Sequence, residues 1–133
     1  MPALDPLQGA HVVADASALD AVHWGAADGA ALTVLRFAPD EAFAIGAKAD
    51  DVKVADTDAI VVEEHGFVGA WCSIADIRRH LEWPLPAGGP ALLQGAVAGV
   101  PAKVWFAPDQ AQVLLVTPAP YARELTERLG WDR

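Results

Sequence analysis

The hexapeptide Phe37-Ala38-Pro39-Asp40-Glu41-Ala42 recurs as Phe106-Ala107-Pro108-Asp109-Gln110-Ala111, with five of six residues alike, 69 positions along the chain. Proline presets φ for the first corner of a type I turn, and aspartate suits the second. Each copy stands between two apolar runs of strand character, at 32–37 and 42–46 and again at 102–107 and 112–117. Turn chemistry alone can converge on Pro-Asp, but the flanking Phe-Ala and the trailing Ala are harder to reach that way. The echo therefore predicts two strand-turn-strand units. With 133 residues the chain has the length of a single domain.

Helices complete the reading. Ser73 with Asp76 resembles a capping box with a shortened acid, and Ile74, Ile77 and Leu81 keep helical spacing, so a short helix is expected over 73–81. Arg78, Arg79 and His80 fall in its last turn, where positive charge complements the helix dipole. That role is preferred to a phosphate clamp. A final helix is expected after Thr117 as cap and Pro118 as first residue, with Tyr121, Leu125 and Leu129 on one face and Gly130 as the stop. A weaker helix is read over 15–24, and residues 91–96 as a short helical turn. Segments 59–63 and 67–72 read as strands around a Glu64-His65-Gly66 hairpin loop.

The expected fold class is α+β, a mostly antiparallel sheet with helices on one face, built from two similar hairpin-plus-helix modules. The expected domain is 1–133, with 1–30 a poorly defined segment before a body at 31–131. The expected core is Leu32, Val34, Phe43, Ile45, Ile60, Val62, Val68, Val104, Phe106, Val113 and Leu115 on strands, and Ile74, Ile77, Leu81, Tyr121, Leu125 and Leu129 on helices.

Charge divides the chain. Eighteen acids face nine bases, a net charge of −9, and the whole excess lies in residues 1–64, with twelve acids and three bases. Such a surface argues against nucleic acid and anionic membranes as partners. It reads as a solvated face or as an electrostatic face for a basic partner. The longest uncharged stretch, 83–102, holds Pro84, Pro86, Pro90 and Pro101 with four glycines, which a lipid-spanning helix cannot carry. The first ten residues hold Asp5 and no base, so no signal peptide is expected and the cytoplasm is the expected compartment. Cys72 cannot pair within the chain and reads as a small buried apolar residue.

Several chemistries lack their signatures. His11, His23, His65 and His80 form no zinc-protease pair, and no phosphate-cradling loop, dinucleotide fingerprint or Gly-x-Ser-x-Gly elbow occurs. Asp56 and Asp58 begin a calcium-loop pattern that no glycine continues. Glu63-Glu64-His65 could do acid–base work, but adjacent residues of a strand point to opposite faces. No catalytic residue and no metal ligand is therefore assigned. Of the five tryptophans, Trp71 and Trp105 read as core. Trp83, with Leu85 in the extended Trp83-Pro84-Leu85-Pro86 segment, reads either as packed over the end of the preceding helix or as a binding anchor, and is kept as a binding candidate.

Phe37-Ala38-Pro39-Asp40-Glu41 is similar to the Gly-Pro-Asp-Glu signature of the gamma subunit of heterotetrameric sarcosine oxidase. Gln94-Gly95, then Val100-Pro101-Ala102-Lys103-Val104-Trp105, then a hairpin into Pro118-Ala119-Pro120-Tyr121-Ala122, follow the same order of elements. The resemblance covers about 32–131. It extends to the folate-binding domain of the glycine-cleavage T-protein family, whose fold is similar to two interlocked β-β-α-β modules. It implies a structural and assembly role beside catalytic subunits, and it adds Gln94 and Lys103 to Trp83 and Leu85 as ligand- or partner-binding candidates. Ala42 stands where the family has tryptophan, and a complete folate pocket in larger relatives needs a second domain. The expectation is a non-catalytic assembly or binding module without a cofactor, in self-association or with a protein partner. A small-molecule binder of folate or an amine metabolite is the alternative, and an enzyme comes third.

Overall fold

The computed structural model describes residues 2–25, 32–81, 84, 91–108 and 112–132. In chain order its elements are β1 (Asp5–Pro6), β2 (Gly9–Val13), α1 (Ala16–Asp20), β3 (Thr33–Ala38), β4 (Glu41–Ile45), β5 (Ile60–Glu64), β6 (Phe67–Cys72), α2 (Ile74–Ile77), β7 (Ala91–Val97), β8 (Val100–Phe106), β9 (Val113–Pro118) and α3 (Ala122–Leu129). All described strand pairs are antiparallel, in two sheets, so the class is α+β. The chain divides into two units, Leu7–His65 and the combination of Met1–Pro6 with Gly66–Arg133.

The first unit, Leu7–His65, holds the sheet β3-β4-β2-β5. Along β2, Ala10 and Val12 are fully buried, and Val12 packs in a cluster with Leu19 of α1, Val22, Val34 and Val61. Gly9, His11 and Val13 point to the other face. Gly9 has no room for a side chain, because a Cβ there would sit 2.1 Å from the Ala44 carbonyl oxygen. The Pro39-Asp40 turn joins β3 to β4 as the sequence predicts, with a register shift between Arg36 and Ala38. Arg36 fastens that turn: its Nε donates to the carbonyls of Ala38 and Pro39 at 3.2 Å, and its Nη2 to Asp20 Oδ1 at 2.8 Å.

The second unit holds the sheet β1-β6-β9-β8-β7. Cys72, Val104, Phe106, Val113 and Leu115 cluster with Ile77 of α2 and with Leu125 and Leu129 of α3, so these helices cover one face. The Ser73–Asp76 capping box forms, with the Ser73 N–H donating to Asp76 Oδ2 at 2.9 Å. Gly130 ends α3 at φ +75°, and the Trp131 N–H reaches back to the Thr126 carbonyl at 3.0 Å.

Several expectations need correction. Residues 60–72 are not a hairpin: β5 pairs with β2 and β6 with β9 and β1, in different sheets. Ile60 and Val62 are exposed while Val61 packs on the core, because β5 presents the opposite alternation to the one expected. On β3 it is Leu35 that is fully buried, with Leu32 and Val34 partly so. Residues 91–96 belong to β7, which pairs residue by residue with β8. Thr117 is a buried strand residue, not a cap, and its Oγ1 donates to the Pro101 carbonyl at 2.7 Å. Tyr121 lies in a 3-10 turn ahead of α3 and is exposed. The N-terminal segment supplies β2, an interior strand of its sheet.

The two sheets have a strand order in common, β3-β4-β2-β5 and β8-β9-β6-β1, although β7 lies between α2 and β8 in the chain. In each, one strand (β2 or β6) leads into a short helix, and the second strand of a later hairpin (β4 or β9) returns antiparallel beside it. Its other flank is taken by β5 on β2 and by β1 on β6.

Candidate functional site

In the second unit, strand register sets up a cross-strand row on the face away from α2 and α3. Trp71 on β6 is opposite Leu114 on β9, Leu114 is opposite Trp105 on β8, and Trp105 is opposite Leu92 on β7. Helix-facing positions alternate with these, which is why Cys72, Val104, Phe106 and Val113 lie in the core and the tryptophans do not. The Trp71 and Trp105 rings meet edge to face, with centroids 5.8 Å apart and planes at 81°. This is a favoured arrangement for aromatic quadrupoles. Trp71 is nonetheless 47% exposed, which corrects its assignment to the core. Leu114, between the two in the row, is buried.

The neighbouring row runs Gly69, Val116, Lys103, Gln94. Lys103 and Gln94 are direct cross-strand partners, and Lys103 Nζ donates to Gln94 Oε1 at 2.8 Å. The structure thus brings these two sequence candidates together, beside Trp105 and Leu92 on the same face. Trp83 and Leu85, the other two candidates, lie outside the described residues, as does most of the second Pro-Asp turn.

A second constellation lies in the first unit. His11 on β2 has Nε2 2.7 Å from Glu41 Oε2 on β4 and Nδ1 2.9 Å from Glu64 Oε1 on β5. Phe37 meets the imidazole edge to face at 5.9 Å. No local signal in the sequence marks this cluster, because its partners lie 30 and 53 residues away. The Glu63-Glu64-His65 run does not converge. Glu63 turns to the other face, where its Oε1 accepts the Ala49 N–H at 2.8 Å, and His65 is exposed past the end of the strand. The carboxylates of Glu41 and Glu64 approach opposite sides of the imidazole and do not meet at one point. Among the described residues, no group of three or more His, Cys, Asp or Glu side chains is arranged to hold a metal ion.

Cys72 is buried, and that burial, with the Asp76 charge adding to it, pushes its thiol up to about 12. A thiol so placed is protonated near neutral pH and is a poor nucleophile. His80 is drawn down by burial and by the neighbouring Arg79 charge. No described helix is long and apolar enough to cross a membrane. Comparison with protein-family models, with curated proteins and with solved structures finds no match.

Proposed function

We propose that this chain is a non-catalytic assembly module whose contact surface is the Trp71–Trp105 face of the second unit, and that a second copy of the chain is its occupant. The observation that carries the reading is Trp71, a large aromatic left half exposed in an apolar row. Burying the open part of an indole, on the order of 100 Å², contributes about 2–3 kcal/mol. Charge supports the choice of occupant: the second unit has a net charge of −1 against −8 for the first, so two such faces meet with little repulsion. The role is the one implied by the resemblance to the sarcosine oxidase gamma subunit, a domain that serves assembly rather than turnover.

Sedimentation velocity over a wide concentration range tests it. The parent chain associates, and Trp71→Ser, with its circular dichroism unchanged, stays monomeric. A Trp71→Ser chain that associates like the parent, or a parent that is monomeric throughout, overturns the reading.

The Lys103–Gln94 pair beside the Trp105 indole favours a second reading, a binder of a flat metabolite such as a folate, or of an amine. Calorimetry with tetrahydrofolate and with secondary amines decides it: saturable binding lost in Lys103→Met supports it, and no heat of binding removes it.

The echoed hexapeptide is further read as the trace of a duplicated β-α-hairpin module. The common strand order, β3-β4-β2-β5 and β8-β9-β6-β1, supports that origin, with β7 an addition to the second copy.

A further inference from the structure

β5 is the outer strand of the four-stranded sheet, and it carries the most exposed large apolar side chain among the described residues. Ile60 is 58% exposed and Val62 46%, and Val13, the register partner of Ile60 on β2, is exposed beside them. An edge strand turns a row of backbone N–H and C=O groups away from its sheet and templates a further strand. Folds that leave such an edge open guard it along its length with charged side chains, lysine above all, or with proline or a bulge. In β5 charge stands only at the last two positions, Glu63 and Glu64. Ile60-Val61-Val62-Glu63-Glu64 has no lysine or proline, and it pairs with β2 over five residues without a register shift.

Acids rim this strand. Asp15, Asp40, Asp56 and Asp58 line, with Val13 and Ile60, a surface hollow of about 600 Å³. Asp56 is fixed there, its Oδ2 accepting the Asp15 N–H at 2.8 Å and its Oδ1 the Asp58 N–H at 2.9 Å. Those two hydrogen bonds hold its carboxyl below the usual range. The first unit as a whole has eleven acids against three bases. A second copy pairing at this edge would bring two such acidic surfaces together, so the charge that leaves the edge unguarded by lysine also selects against self-pairing.

We propose that β5 receives an extended segment of a cationic partner protein by strand addition. Apolar residues of that segment cover Ile60 and Val62, and lysines or arginines flanking it reach Asp56 and Asp58. Main-chain hydrogen bonds supply affinity in this mode, and alternate side chains supply specificity. The inference is independent of the Trp71 face, which lies in the other unit.

The test uses the full chain and a synthetic peptide with blocked ends, a short valine–serine alternation flanked by lysines, so that the valines share the Ile60 and Val62 face and the lysines fall at the strand ends. The same peptide with glutamates in place of the lysines and an N-methylated copy of the lysine peptide serve as controls. Binding is read by calorimetry, and its location by backbone amide shifts. The lysine peptide binds with shifts centred on residues 60–64, and added salt weakens it. The glutamate and N-methylated peptides bind at least about tenfold more weakly. Val62→Ser and Asp58→Asn, both at exposed positions, each weaken binding about threefold to tenfold with the fold intact by circular dichroism. Glutamate-peptide binding as tight as lysine-peptide binding, indifference to N-methylation, or shifts confined to other elements would each overturn the proposal. Dimerisation abolished by Val62→Ser would overturn it as well.

Discussion

Nε2 of His11 stands 2.7 Å from Oε2 of Glu41, and through this contact β2 holds the first residue of β4. The same ring reaches Glu64, the last residue of β5, so one side chain ties three strands of the sheet. His11→Ala removes the group between two carboxylates and is expected to cost about 1–3 kcal/mol. Urea unfolding measures it. A double-mutant cycle with Glu41→Gln should show a coupling of at least about 0.5 kcal/mol, and strict additivity would remove the latch.

The β7–β8 turn places Ala98 at φ +51° and Gly99 at φ +77°. A two-residue hairpin turn with both φ values positive favours Asn-Gly over Ala-Gly, since an alanine in the left-handed region costs about 1 kcal/mol. Ala98→Asn should therefore raise stability by about 0.5–1 kcal/mol, seen as a rise of a few degrees in melting temperature. The Arg128 Nη1 contact to the Ala98 carbonyl, at 2.9 Å, involves backbone and survives the change.

Cys72 makes stability fall in alkali. Its thiol is raised in the fold, so between about pH 9 and pH 12 the unfolded chain releases a proton that the folded chain retains. Stability from this group is complete below that window and is lost as pH rises through it. Unfolding midpoints measured across the window should drop less steeply for Cys72→Ala than for the parent. Native Cys72 should also resist alkylation until the chain unfolds.

Thr117 is fully buried, and its hydroxyl donates to the Pro101 carbonyl on β8. Thr117→Val keeps the shape and deletes the donor, with an expected loss of about 1–2 kcal/mol in denaturant unfolding. A helix cap at this position would instead leave a signature in α3 helicity, which this variant should preserve.

Local chemistry was legible in the sequence, and partner choice was not. The Pro39-Asp40 turn, the Ser73–Asp76 box and the Gly130 stop each depend on residues within a few positions, and each forms. Ile60-Val61-Val62 is apolar at three consecutive positions, so alternation could not say which face is buried. The Glu64-His65-Gly66 loop has hairpin chemistry, yet β5 and β6 find better partners elsewhere, a choice made over dozens of residues. β7 was hidden because alanine and glycine carry little strand preference. Gln94 and Lys103 turned out to be paired directly, whereas the exposure of Trp71 followed only once the register of β6 was known.

The pairing of Gly9 with Glu64 bears on how the chain is assembled during synthesis. β1 is made before β6, and its partner there follows 64 residues later, counted from Asp5 to Gly69. Everything between β1 and β6, apart from short connections, is the Leu7–His65 unit. Once that unit folds, its two ends are neighbours, and the long excursion shrinks to a link of a few residues. Each halving of a loop saves about 0.6 kcal/mol, so early folding of the insert lightens the later closure of β1 on β6 by roughly 2 kcal/mol. The acidic insert thus acts as a clasp: when it is closed, β1 is held within a few residues of the strand it pairs with.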